Sequence, residues 1–177
     1  SDVCSSDLAL GNSLTVSVCD SASSQFSTWA YNSYFTSAPS TSAYTAAQNG
    51  ANDEIHIVVV DTNGLFTGTK GTVLETYPFV SKAVDAMNLN DGTSNYYKQV
   101  VYNKSKYVYA IDPPSYGTTS SSWGHLAANT TFVQISSPQT NQLYGGADGT
   151  ITDADLIIAN GLFTNKELLD ISLVLTA

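Results

Sequence analysis

The run "YGGADGTITDADL", Tyr144 to Leu156, sets carboxylates and hydroxyls around a glycine in the manner of a calcium loop. Such a loop takes oxygen ligands at its first, third, fifth, seventh, ninth and twelfth positions, with Gly at the sixth and a bidentate Glu last. With Gly149 sixth, Asp148 is fifth, Thr150 seventh, Thr152 ninth and Asp155 twelfth. The first and third positions then fall on Tyr144 and Gly146, which offer no carboxylate, and Asp155 is shorter than the Glu that should clasp the ion. The preceding "TTFVQISSPQTNQ" holds β-branched residues and a Pro, a poor entering helix. A second reading accounts for every residue. A turn built on Gly145, Gly146 and Gly149 feeds a helix capped by Thr152, with Asp155 closing a weak capping box and Asp153 and Asp155 favoured by the helix dipole. No metal ligand is assigned.

Two further stretches imitate catalytic machinery. "GLFTGTKGT" has the composition of a phosphate-binding loop, which needs Gly, four residues, then Gly-Lys-Ser/Thr ahead of a helix. Here Thr69 stands where the second Gly belongs, Lys70 is followed by Gly71, and a strand comes next. Asp61 at a strand end in "VVVDTNG", Ser94 in "GTS" and His125 after Gly124 supply the residue types of a subtilisin-type hydrolase. A triad is a matter of geometry, so chain order does not exclude it. That family nevertheless runs Asp, His, Ser with a Gly-Thr-His context, whereas Ser94 precedes His125 and neither local motif is complete. His56 alternates within "IHIVVV" and reads as a strand histidine at an exposed or satisfied position. No catalytic residue and no cofactor site follow.

Composition narrows the function classes. The 177 residues suffice for one domain with a sizeable core, and 42% of them are hydrophobic. Charge is sparse and one-sided: six Lys, no Arg and fifteen acids give a formal net charge of −9. Nucleic-acid surfaces need clustered cations, and base readout leans on the Arg fork, so direct DNA or RNA binding is not expected. Lys98, Lys104 and Lys106 read as a solvated face. No apolar run is long enough for a membrane helix, and no secretory signal is recognisable.

The elements that must position these residues are short. The opening "SDVCSSDL" is what the codons of a widely used sequencing adapter encode, so residues 1–8 are set aside as a library scar expected to make few contacts. That leaves Cys19 without a partner for an intrachain disulfide. Leu14, Val16 and Val18 alternate in a short strand. Residues 20–52, rich in Ser, Thr, Ala and Tyr, show no period and read as a surface loop or insertion. "EIHIVVVDT" and "TVLETY" flank a Gly-rich turn, which predicts that Ile55–Asp61 pairs antiparallel with Val73–Tyr77. Asn95–Ser105 is a predicted helix, and "KYVYAI", "TFVQIS" and "ISLVL" are predicted strands, the last preceded by the helix "DADLIIANGLF". The fold class expected is α/β: a mixed sheet flanked by helices with an added β-hairpin, incomplete at both ends.

The pieces "GNSLTVSV", then "DEIHIVVVDTNGLFTGTKGTVLETYPFVSKAVDAMNLNDGTSNYYKQVVYNKSKYVYAID", then "GGADGTITDADLIIANGLF" and "DISLVL" resemble the contractile tail sheath proteins of T4-like bacteriophages. The likeness runs from about Gly11 to the end and is weakest across Asp20–Asn52 and Pro113–Thr131. It rests on the order and spacing of the pieces, including Glu75 in the hairpin, Ser105 ahead of a Tyr/Val run, and Gly-Gly-x-Asp-Gly before a helix. The resemblance implies a partial sheath domain over residues 9–177, of subtilisin-like architecture without protease chemistry. It implies a structural virion protein of the phage tail, assembled in the bacterial host cytoplasm, and not an enzyme. Its partners would be other sheath subunits in six-fold rings and the tail tube, with no direct nucleic-acid contact and no membrane insertion. Contraction would drive the tube through the host envelope by rigid-body repacking of a metastable lattice. Rings in that family are knitted by chain extensions that lend strands to neighbours, and this chain, lacking them, is expected to be a soluble monomer, or a nonspecific aggregate where the severed sheet leaves an open edge. The alternative is a divergent hydrolase or a carbohydrate-binding virion module, for which the eleven Tyr offer stacking platforms.

Overall fold

The computed structural model describes residues 8–21, 23–109 and 122–147, together with Ala154 and Ile157. The chain divides into a unit of residues Ser1–Gly146 and a second of Ala147–Ala177. In the second, Ala154 and Ile157 have helical backbone and lie within the stretch predicted to be helix. The rest of that helix, the "ISLVL" strand and residues 1–7 of the adapter-like leader lie outside the described residues.

The first unit is an α/β domain built on a four-stranded sheet, β1 (Leu14–Asp20), β2 (Glu54–Asp61), β3 (Thr72–Ser81) and β4 (Gln139–Gln142), in the order β3-β2-β1-β4. Its helices are α1 (Ser23–Phe26), α2 (Ala43–Ala47) and α3 (Tyr97–Lys104). The named strands all pair antiparallel, and parallel pairing enters through isolated bridges, Ala51 to Thr131 and Ser81 to Tyr96. The predicted hairpin is present: Ile57 faces Tyr77 and Val60 faces Val73, with bulges where the register shifts, and no helix interrupts the turn between the strands.

β2 is apolar on every position from Ile55 to Val60 except His56 because both of its faces are covered. Side chains alternate across a strand. Ile55, Ile57 and Val59 therefore join a core with Leu14, Tyr77, Val80 and the buried residues Tyr97, Val100 and Val101 of α3. Val58 and Val60 join Cys19 and Trp29 on the other face. The spacing of Tyr97, Val100 and Val101 puts them on one side of α3, the amphipathic pattern that docks a helix on a sheet. Residues 20–52 are irregular, as their lack of period implies, with two short helices and a single 3-10 turn at Asn32–Tyr34. Trp29 makes this segment part of the second core layer: it is buried, stacks on Phe35 and donates its indole N–H to Ser17 Oγ at 2.9 Å.

Two predicted strands are corrected. Lys106–Tyr109, the described part of "KYVYAI", is not a strand. Ser105 Oγ accepts from the amides of Tyr107 and Val108, and Glu75 takes the Lys106 amide, so these donors are satisfied locally by side chains rather than by a ladder. "TFVQIS" is reduced to the bridge at Thr131. The amides of Val133 and Ile135 go to Ser122 Oγ and Asp20 Oδ2, which again replaces ladder bonds by side-chain ones. The strand beside β1 is instead "QTNQ", whose polar residues give no strand signal. β4 sits on an edge, where one face can stay wet, and Thr140 Oγ1 shares a hydrogen bond with Ser17 Oγ at 2.7 Å.

Candidate functional site

Asp61 closes β2 with its carboxylate buried, and the loop that follows folds back onto it. Gly64 (φ +77°) starts the reversal in a left-handed conformation that a side chain resists. The amide of Leu65 then donates to Oδ1 at 3.0 Å, and those of Phe66 and Thr67 donate to Oδ2 at 3.0 and 2.8 Å. Ser13 Oγ and Thr67 Oγ1 add hydroxyl bonds at 2.5 and 2.9 Å. Successive amides converging on an anion form a nest of the type that binds phosphates. Here the protein's own carboxylate fills it. Burial pushes the Asp61 pKa up, but the Ser13 hydroxyl, the amide and hydroxyl of Thr67 and the Phe66 amide outweigh it and hold it at about 2. The phosphate-loop composition of residues 64–72 thus has an internal explanation, and β3 rather than a helix follows it.

The other two members of the imitation triad lie elsewhere. Glu54 pairs with Ser81 at the opposite end of the hairpin from Asp61, which pairs with Thr72. Tyr96 bridges to Ser81, which places neighbouring Ser94 at that far end, and the Val84 amide donates to the His125 carbonyl, which places His125 there too. The eight residues of β2 therefore separate Asp61 from both, roughly 20 Å at a strand's rise per residue. Ser94 and His125 are exposed, and no hydrogen bond among the described residues joins any two of the three. This arrangement cannot relay a proton from Ser94 to Asp61.

His56 is a satisfied strand histidine. It is fully buried, with its ring stacked on Phe35 at 4.2 Å and edged by Phe79 at 4.6 Å. The Phe79 amide donates to Nδ1 at 3.0 Å, so Nε2 carries the proton and donates to the Ser37 carbonyl at 2.8 Å. Burial lowers its pKa, and hydrogen bonding to backbone offsets this only in part. The bond also fixes Phe79, a non-glycine residue held at φ +52°.

The strongest charge cluster was not singled out by the sequence. Lys82, just after β3, is completely buried and its Nζ lies 2.5 Å from Asp20 Oδ1, at the end of β1. The same ammonium donates to the carbonyls of Asn52 at 2.9 Å and Val133 at 3.2 Å and sits 5.0 Å from the centre of the Trp123 ring. Three donors thereby meet three acceptors. Burial pushes the Lys82 pKa down, and the charges of Asp20 and then Asp53 work against that. Asp20 Oδ2 also accepts from the Ile135 amide at 2.9 Å. Buried Asp53 accepts from the amide and hydroxyl of Ser42, both at 2.8 Å, and from Ser81 Oγ at 2.5 Å. A lysine inside the apolar run "FVSKAV" was the available signal. Nothing in the sequence indicated which carboxylate it meets.

Glu75 and Ser105, thirty residues apart, are in contact: Ser105 Oγ donates to Glu75 Oε2 at 2.6 Å, beside the Tyr77 hydroxyl at 2.7 Å. In the calcium-like run, Gly145 has φ +84°, and Gly146 exchanges two hydrogen bonds with the Asn12 amide group, at 2.8 and 2.9 Å. Residues 148–153 and 155 lie outside the described residues. Among the described residues no group of three or more His, Cys, Asp or Glu could hold a metal ion, and no helix is long and apolar enough to cross a membrane. Cys19 is buried, with its pKa raised to about 11 by burial and then by the Asp20 charge, so it stays a thiol. No protein-family model, curated protein or solved structure matches the chain.

Proposed function

We propose that the chain is part of a contractile tail sheath subunit, a structural and non-enzymatic virion component. Its partners are other sheath subunits in six-fold rings and the tail tube, and its place is the phage tail, assembled in the host cytoplasm. The observation that carries this reading is the use made of Asp61. Asp61, the strand-end carboxylate that the sequence offers as a triad acid, is enclosed by its own loop and by Ser13. It braces a hairpin, and no hydrogen bond among the described residues links it to Ser94 or His125. The contact between Glu75 and Ser105 agrees with the reading, since both residues belong to the pattern on which the resemblance rests. Work in such an assembly comes from switching between packed lattices, which calls for stiff subunits rather than for a reactive centre.

The test is to express the complete open reading frame that contains this sequence and examine it by negative-stain microscopy, with the gene immediately downstream sequenced in parallel. Tubes with six-fold symmetry beside a tail-tube gene are the expected result. A lysis cassette next door, with a soluble product that binds or cleaves glycans, would replace this reading with the carbohydrate-binding or hydrolase one. The exposed Tyr102–Tyr109 pair, 6.0 Å between ring centres, is the surface on which such binding would be sought.

A further inference from the structure

Three described glycines follow an Asn or Asp: Gly50 after Asn49, Gly64 after Asn63 and Gly92 after Asp91. A glycine amide nitrogen, unhindered by a Cβ, can attack the side-chain carbonyl of the residue before it when that nitrogen is free to leave its place. Two of these nitrogens are engaged. The Gly50 amide donates to the Thr45 carbonyl at 2.9 Å, and the residue is wedged so tightly that an added Cβ would lie 2.4 Å from the Ala127 carbonyl oxygen. The Gly92 amide donates to the Asn88 carbonyl at 2.8 Å, while the Asp91 carboxylate is tied to the amide and hydroxyl of Thr93. Gly64 is different. Its amide makes no hydrogen bond among the described residues, and the exposed Asn63 side chain has no partner there either. The surrounding loop is committed to Asp61, and Gly64 is packed on its Cα side, where an added Cβ would lie 2.8 Å from the Lys70 nitrogen, while its carbonyl accepts from the Gly68 amide at 2.8 Å. Its nitrogen and the Asn63 carboxamide are the two groups of this corner left unbonded among the described residues.

We propose that Asn63–Gly64 is a self-modification site at which Asn63 deamidates in the folded protein, with the chain's own amide and water as the reactants. The Gly64 nitrogen gives its proton to water and bonds to Asn63 Cγ, and the side-chain nitrogen departs as ammonia, leaving a five-membered succinimide. Water then opens the ring. Cleavage at Cγ yields Asp, and cleavage at the backbone carbonyl yields isoaspartate with the chain continuing through the side chain. The balance is one amide and one water consumed, one carboxylate and one ammonium formed. Either product adds a negative charge within two residues of Asp61, and isoaspartate inserts an extra methylene where the loop begins its turn around that carboxylate.

The experiment ages the full chain in mildly alkaline buffer, folded and in concentrated urea, and follows each site by peptide mapping with mass spectrometry, with Asn63→Gln run in parallel. In the folded chain Asn63 should convert about tenfold or more faster than Asn49, the protection expected for a packed, hydrogen-bonded amide against an open one. In urea the two rates should converge, because structure alone separates them. Asn63→Gln should lose the early deamidated form of the peptide that spans residue 63. An Asn63 that survives in the folded chain but converts in urea would overturn the proposal, as would an Asn49 that keeps pace with it when folded or an equally early deamidation of that peptide in Asn63→Gln.

Discussion

At the scale of single residues, Asp61 and His56, two groups that suggest chemistry, act as structural anchors, and their ionisation contributes to the pH dependence of folding. The folded pKa of Asp61, about 2, lies below its ordinary 3.8, so its contribution is complete above pH 3.8 and is lost as pH falls toward 2. Asp61→Asn keeps the shape but weakens charge-assisted bonds, and should cost about 2 kcal/mol in urea melts at neutral pH. The same variant should flatten the acid limb of the stability curve below pH 3.8. His56 acts in another window. Its folded pKa is lowered from 6.5, so the unfolded chain takes up a proton first and stability declines as pH drops through 6.5. Protonation would also leave Nδ1 unable to accept from Phe79, whose φ of +52° is held by that bond. His56→Phe should lose the pH dependence near 6.5 and destabilise the protein at every pH, because Phe79 and Ser37 keep unpaired groups; fluorescence-monitored unfolding across the range checks both. The Gly-rich loop and the Asp were visible in the sequence as a motif. That the loop is wrapped around that very Asp was not, because a nest for a phosphate and a nest for a carboxylate need the same glycines and amides.

At the scale of elements, hydrophobic pattern located what is buried on two faces and missed what side chains hold in place. β2 and its hairpin were readable because seven successive positions are buried and the turn is rich in glycine. α3 was readable from its spacing, within two residues at its start. β4 was hidden, since an edge strand of Gln, Thr and Asn is selected by β1 beside it and not by its own propensity. "KYVYAI" has strand composition, but Ser105 and Glu75 capture its first amides, a competition that composition does not record. Trp29 shows the same limit: it lies in a run without period, yet covers a sheet face. Trp29→Ala should cost about 3–5 kcal/mol in denaturant titration, the range for emptying a buried indole site, more than a surface loop would allow. Loss of the indole bond leaves Ser17 with Thr140, so β4 should remain paired.

At the scale of the whole molecule, Lys82 joins the ends of three segments that are distant in the chain: β1 through Asp20, the start of β2 through Asn52, and the stretch after Trp123 through Val133. Removing one partner of a buried pair strands the other charge, so Lys82→Met should cost about 3–5 kcal/mol. Adding Asp20→Asn, which retains an acceptor for the Ile135 amide, should recover much of that loss, and a double-mutant cycle in guanidinium measures the coupling. The general arrangement of sheet and helices was legible because burial is periodic. This clasp was not, because a lone lysine among apolar residues does not name its partner. The sheet order has a further consequence in time. One side of β1 pairs with β2 soon after both have been made, but its other side waits for β4, with Ser17 and Thr140 separated by 123 positions. While the chain leaves the ribosome, β1 therefore carries an unpaired row of amides and carbonyls until Gln139–Gln142 has been made, a template for mispairing with another nascent chain. Closing so long a loop is slow, so the yield of folded protein should depend more on crowding of nascent chains than on its final stability.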